Sequence, residues 1–166
     1  MEGCKALLKG PGRIRRVRTI RKYDRLPENG GREVGMKLII GGYAQGKLGY
    51  VLRQINPEGW TILDGNSLES PLSDMEHEGH RIVFNHFHSW VKGCMEKGGC
   101  PEVEMREYLE KCADCIVISD EIGNGIVPVD AFERAYRERT GRLLVELAAE
   151  AEEVVRVLCG IGQKIK

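Results

Sequence analysis

Three groups of residues in this 166-residue chain have the types and spacing to do chemistry. The first is Gly41-Gly42-Tyr43-Ala44-Gln45-Gly46-Lys47, which fits the G-x-x-x-x-G-K spacing of a phosphate-binding loop. A loop wrapped around a polyphosphate must turn its backbone N–H groups inward, and glycine permits both the positive φ angles and the close approach this needs. The lysine ammonium then reaches the outer phosphates. The position after the lysine, where a Ser or Thr hydroxyl normally meets Mg²⁺, is Leu48. The bare pattern also occurs by chance, as a tight turn with a solvated lysine. Its setting gives it weight: the apolar run Leu38-Ile39-Ile40 precedes it as a buried strand, and a helix is expected from Lys47 to about Ile55.

The second group is Asp120-Glu121, which closes the apolar run Cys115–Ser119. The carboxyl end of a parallel strand is where an open α/β sheet puts its ligand site, and a carboxylate there can hold Mg²⁺, directly or through water. The plain alternative is a strand-end turn cap. The third group is the four histidines, His77, His80, His86 and His88. A zinc site would need four ligands in tetrahedral reach, and Cys112-x-x-Cys115 is the only supporting pair. Cys115 opens a strand that should be buried, which argues against a metal there. An imidazole can instead attack a nucleoside triphosphate and hold the nucleotide as a phosphoramidate. The plain reading is a partly buried imidazole on a helix surface.

The elements that must position these groups follow from the remaining pattern. Trp60–Leu63 is expected as a strand after the turn Asn56-Pro57-Glu58-Gly59, and Asn66–Asp74 as loop. A helix is expected from Asp74 to about Lys97, with Ile82, Val83, Phe84, Phe87, Trp90 and Val91 as its apolar members. On it, His77 and His80 share a face, while His86 and His88 do not. Glu102–Lys111 reads as a short charged helix. Asp130 with Glu133 makes a capping box that opens a helix running to about Glu153, and Val154–Leu158 reads as a last strand. Alternating strands and helices with parallel-type apolar runs predict an α/β layered fold.

Composition agrees with a folded domain: 42% of residues are hydrophobic and 30% charged, and no apolar run reaches the roughly 20 residues of a membrane span. No secretory signal is apparent, so the six cysteines are expected as reduced thiols in a cytoplasmic protein. Net charge is zero, yet residues 1–35 carry ten Lys/Arg against four Asp/Glu and residues 36–166 carry fifteen against twenty-one. The basic stretch reads as a disordered N-terminal extension, preceding a single domain over 36–166. With no aromatic platform it makes a poor nucleic-acid arm. Met36 stands directly before the first strand, so a native start there is also open.

From Asp120 onward the chain resembles the adenosylcobinamide kinase / adenosylcobinamide-phosphate guanylyltransferase family, which reads approximately N-E-V-G-x-G-I-V-P and then R-x-x-R-D-x-x-G-R-x-N-Q. Glu121, Gly123, Gly125, Val127, Pro128, Arg137, Gly141, Arg142, Ala148 and Ala149 match without a gap. The family's opening G-G-x-R-S-G-K-S is represented by Gly41, Gly42, Gly46 and Lys47, with Ala44, Gln45 and Leu48 as departures. Its R-I-x-x-H ahead of a tryptophan, whose histidine carries GMP, finds Arg81-Ile82 and Trp90 here. The histidine position is Asn85, with His86 and His88 just beyond. The family's separate acidic strand before the N-E strand has no evident counterpart.

The resemblance implies a P-loop NTPase-like α/β fold, a mainly parallel sheet flanked by helices. It implies an enzyme of cobalamin biosynthesis that phosphorylates adenosylcobinamide with ATP or GTP and Mg²⁺, then transfers GMP through a histidine, as a homo-oligomer. Carried over by position, Gly41–Leu48 would hold the nucleotide, Glu121 would act at the metal or phosphate end, and Asp120 would meet the metal. His86, then His88, would carry GMP. The alternative is a catalytically degenerate nucleotide-binding or regulatory paralogue.

Overall fold

Short runs of Ile, Val, Leu and Phe, too short for helices and bounded by turn residues, build the sheet. The structure is a computed structural model that describes residues 35–68, 72 and 79–166. The basic stretch, apart from Gly35, and His77 lie outside the described residues. Among the described residues six strands are formed: β1 (Lys37–Gly41), β2 (Trp60–Asp64), β3 (Arg81–Asn85), β4 (Asp114–Asp120), β5 (Glu153–Leu158) and β6 (Ile161–Lys164). The helices among the described residues are α1 (Lys47–Leu52), α2 (Phe87–Glu96), α3 (Pro101–Lys111) and α4 (Ala131–Glu150). The sheet order is β2-β3-β4-β1-β5-β6. All pairings are parallel except the β5–β6 hairpin, which is antiparallel. The expected α/β architecture, a mainly parallel sheet flanked by helices, is what forms.

Each face of the sheet is buried against its own set of side chains. Leu38, Phe84, Val117 and Val154 join the larger cluster with residues of α2, α3 and α4. Their neighbours in sequence, Ile39, Val83, Ile116, Ile118 and Val155, turn to the other face and pack with Val51 of α1. Period-2 alternation of strand side chains therefore feeds two cores at once.

The expected helix over Asp74–Lys97 is corrected. Its described part divides into β3, an αL turn at His86, and α2. Ile82, Val83 and Phe84 are fully buried strand residues paired with both β2 and β4. A central strand covered on both faces shows a continuous apolar run, which periodicity cannot tell from a buried helix. Smaller corrections concern ends: α1 stops at Leu52, α4 stops at Glu150, and β6 follows the expected last strand as a hairpin partner.

Three aromatic contacts fix β3 to the helices that cover it. The Phe84 ring lies 5.7 Å from Phe87, 5.6 Å from Trp90 and 6.4 Å from Tyr108. Such pairs add about 0.5–1.5 kcal/mol each to the area they bury. At the amino edge, Arg81 lies 5.3 Å over Trp60 and pairs with Asp114 at 2.7 Å, tying β2, β3 and β4 in a row. The opposite, carboxyl edge is thereby free to carry side chains that do not serve packing.

Candidate functional site

At the carboxyl edge β1 ends in Gly41, opposite Asp120 of β4. The chain turns through Ala44 (φ 55°) and Gly46 (φ 76°) into α1. Lys47, the first residue of α1, is 7% exposed, and its ammonium is folded back into the loop. It donates to the carbonyl of Gly42 at 2.7 Å, lies 3.4 Å from that of Gly41, and pairs with Asp120 Oδ1 at 2.5 Å. A buried ammonium with one carboxylate and backbone carbonyls is fully compensated, and removing the carboxylate would leave a buried charge costing about 3–5 kcal/mol. The loop is also braced from across the sheet edge: Gln45 accepts from the backbone N–H of Cys159 at 2.7 Å and of Gly160 at 2.8 Å. Because α1 has only six residues, the loop's backbone and Lys47 must provide most of its attraction for an anion.

Next to Asp120 stands His88, on the first turn of α2. Its Nδ1 accepts from the backbone N–H of Asp120 at 3.1 Å. The proton of the neutral ring therefore sits on Nε2, 3.7 Å from Asp120 Oδ2. Burial lowers the His88 pKa below 6.5; the Asp120 carboxylate opposes this, while His86 and Lys47 add to it. His88 is thus neutral at neutral pH, with both nitrogens committed toward Asp120.

His86 caps α2 in the left-handed region (φ 52°, ψ 44°). That turn brings its ring to 6.0 Å from His88, although two helical residues at this spacing would point apart. Its Nδ1 lies 2.8 Å from Asp64 Oδ1 at the end of β2, and the Asn66 and Asn85 amides lie 2.8 and 3.0 Å from the same nitrogen. Asp64 can only accept, so opposite it Nδ1 carries the proton when the Asn66 and Asn85 amides present their oxygens, and in that tautomer Nε2 keeps a lone pair. Nε2 meets no partner among the described residues. A half-exposed imidazole, oriented by a carboxylate and with the distal nitrogen open, is the arrangement of a nucleophile or a base.

The sequence-predicted residues thus fall into two places. Gly41–Leu48, Asp120, His86 and His88 converge on one stretch of the carboxyl edge. Glu121 does not join them: it follows Asp120 but turns to the α4 side, where Oε2 meets Arg156 at 2.9 Å and Asn124 at 3.2 Å. Asp64, Asn66 and Asn85 went unnoticed in the sequence. Asp64 carries the same signal as Asp120, a carboxylate closing a short apolar run. His80 stands just before β3, and His77 lies outside the described residues.

The course of β3 also revises how the resemblance applies to the middle of the chain. Arg81-Ile82 opens a strand that pairs with β4, so a strand does precede the N-E strand here; its carboxyl end is Asn85, which carries no charge. The amide stands where that family strand would present its acid.

Comparison with known proteins places the chain among one group of enzymes. Residues 52–165 match the family described as Cobinamide kinase / cobinamide phosphate guanyltransferase, a stretch that starts after the phosphate loop. The bifunctional adenosylcobalamin biosynthesis protein CobU of Salmonella typhimurium (strain LT2) is 36% identical over 81 residues, 46% of this chain and 44% of that protein. The protein of the same name from Escherichia coli (strain K12) is 39% identical over 67 residues, 38% of this chain and 37% of that protein. The matches thus span less than half the length of these curated relatives. With more than half of its residues matched by the family pattern, the chain belongs to the cobinamide kinase / cobinamide phosphate guanyltransferase family.

Proposed function

We propose that this protein is a nucleotide-dependent transferase of cobalamin biosynthesis that takes GMP from GTP onto His86 and passes it to adenosylcobinamide phosphate. The observation that carries the reading is the His86–Asp64 contact, which leaves Nε2 open at the same sheet edge as Lys47. His86 Nε2 attacks the α-phosphorus of GTP, an N–P bond forms, and the bond to the bridging oxygen breaks, so that pyrophosphate leaves with the electron pair. The proton on Nδ1 faces Asp64, which stabilises the positive charge that the ring acquires. Lys47 turns its ammonium toward the departing phosphates once they compete with Asp120 for it. A phosphate oxygen of the second substrate then attacks the same phosphorus, and the P–N bond breaks to restore His86. His88 has no free lone pair in this tautomer, which favours His86 as the carrier.

The kinase half of the family's chemistry has less support. Mg²⁺ prefers several oxygen ligands in octahedral geometry. Here Leu48 supplies no hydroxyl, Asn85 no carboxylate, and Asp120 Oδ1 is held by Lys47. Among the described residues no group of three or more His, Cys, Asp or Glu is arranged to hold a metal ion. These residues do not fit a magnesium ion bound directly by the protein. They favour, as a second reading, a chain that binds nucleotide without phosphorylating cobinamide. It predicts GTP binding that persists in a chelator; magnesium-dependent phosphorylation of adenosylcobinamide would exclude it.

Incubation with [α-³²P]GTP tests the transferase reading. An acid-labile, alkali-stable label on the wild-type protein is expected, absent in His86→Ala and retained in His88→Ala. No label on the wild type would end the transferase reading, and a label that survives in His86→Ala but not in His88→Ala would move the carrier to His88.

A further inference from the structure

The loop between β4 and α4 carries the dipeptide Asn124-Gly125. An asparagine side chain is an electrophile as well as a hydrogen-bonding group, because attack on its Cγ by the backbone nitrogen of the next residue closes a five-membered ring. In a folded chain that attack needs an N–H with no hydrogen-bond partner, a side chain that is loosely held, and a following residue too small to crowd the nitrogen.

The asparagines of the described residues differ in these respects. Asn56 precedes Pro57, whose nitrogen has no hydrogen to lose. The nitrogen after Asn66 belongs to Ser67 and donates to the Asp64 carbonyl at 3.0 Å. Asn85 is buried at the end of β3, with the bulky His86 after it. Asp64-Gly65 would close the same ring by losing water, but the Gly65 N–H is given to the Asn85 carbonyl at 2.9 Å. Asn124 has none of these restraints: it is exposed, it lies outside helix and strand, and the Gly125 N–H meets no partner among the described residues. A Cβ built at Gly125 meets nothing within 4 Å, so the nitrogen is open to solvent. The amide is held by one hydrogen bond of 3.2 Å, from Nδ2 to Glu121 Oε2.

We propose that Asn124 is a site of spontaneous deamidation and isomerisation, through which the protein acquires a mark of its age beside the carboxyl edge of the sheet. Hydroxide takes the Gly125 N–H proton, the nitrogen bonds to Asn124 Cγ, and the Cγ–Nδ2 bond breaks, so that the amide nitrogen leaves as ammonia with a proton from water. Water then opens the succinimide. Breaking the bond between nitrogen and Cγ leaves aspartate; breaking the bond between nitrogen and the α-carbonyl carbon leaves isoaspartate, in which the main chain runs through Cβ and Cγ and is one atom longer. Either product puts a carboxylate where a donor faced Glu121, so a hydrogen bond becomes a like-charge contact next to the Glu121–Arg156 pair.

Ageing the full chain at pH 8.5 and at pH 7, beside Asn124→Gln, tests this. Glutamine keeps the amide donor but would have to close a six-membered ring, which forms far more slowly. Peptide mass spectrometry of the wild type should find the segment with Asn124 one dalton heavier, sooner at pH 8.5 than at pH 7, and the segments with Asn56, Asn66 and Asn85 unchanged. A protein isoaspartate methyltransferase with a labelled methyl donor should mark that same segment in the wild type and leave it unmarked in Asn124→Gln. The Asn29-Gly30 pair, outside the described residues, falls in a different peptide and is read separately. An Asn124 that keeps its amide in the folded chain while a sample aged in urea loses it would overturn the proposal, because the fold would then protect the site. Conversion of Asn66 at the same rate would overturn it as well, since an open N–H would not be what selects the residue.

Discussion

His88 shows how one side chain makes the site sensitive to protons. Its pKa is lowered, first by burial, so the folded protein holds it neutral while the unfolded chain takes up a proton near pH 6.5. The unfolded state then binds more protons than the folded one, and its stabilising share is complete above about pH 6.5 and is lost as pH falls through the lower folded value. Chemical denaturation from pH 7.5 down to 5.5 should show a falling unfolding free energy, with a shallower fall in His88→Asn. A second residue-scale expectation concerns Asp64. Asp64→Asn removes the charge facing His86 Nδ1 and should slow formation of the phosphoramidate by roughly tenfold. That is less than a buried triad aspartate achieves, because both partners here are about 40% exposed and water screens them. Rapid-quench labelling would measure it.

At the scale of elements, the turn that joins β3 to α2 sets the histidine geometry, and Gly65 makes room for it. The Gly65 N–H donates to the Asn85 carbonyl at 2.9 Å, and a Cβ at residue 65 would come within 2.2 Å of the His86 carbonyl oxygen. Backbone cannot swing aside as a flexible side chain can. Gly65→Ala should therefore cost at least about 2 kcal/mol, read as a lower thermal midpoint, and should reduce labelling at His86 as well. The same turn marks the boundary of what was legible. The strand before the phosphate loop, β4 with its terminal Asp120, and α4 behind the Asp130 cap could all be read, because a local rule fixes each one; the Asp130 side chain does accept from the Glu133 N–H at 2.9 Å. β3 was taken for helix because Ile82, Val83 and Phe84 are buried on both faces. The approach of His86 to His88 depends on a left-handed non-glycine residue, which leaves no mark in the residue types. Asp64 escaped notice because its role exists only once β2 lies beside β3.

For the whole molecule, one sheet with two apolar faces carries the proposed site along its carboxyl edge, and its stability depends on the centre. Phe84 is fully buried and holds β3 to both α2 and α3. Truncation to Ala should cost about 3–5 kcal/mol, a large fraction of the roughly 5–15 kcal/mol that holds a domain together. Equilibrium denaturation of Phe84→Ala is expected to show the loss. Nucleotide binding would weaken with it, since the histidine turn and Asp120 are set by the strands that Phe84 joins.

The brace on the phosphate loop has a consequence for how the protein is made. Gln45 meets the backbone N–H groups of Cys159 and Gly160, and Arg53 donates to the Gly160 carbonyl at 2.9 Å. These partners are separated by 114 residues for the Gln45–Cys159 bond and 107 for the Arg53–Gly160 bond. A ribosome releases the loop well before its brace, so the nascent chain must carry an unfinished loop over the whole stretch between them. Under the proposed function, nucleotide capture waits until the β5–β6 hairpin has emerged, and a stalled chain that lacks residues 159–160 should emerge with its loop unset.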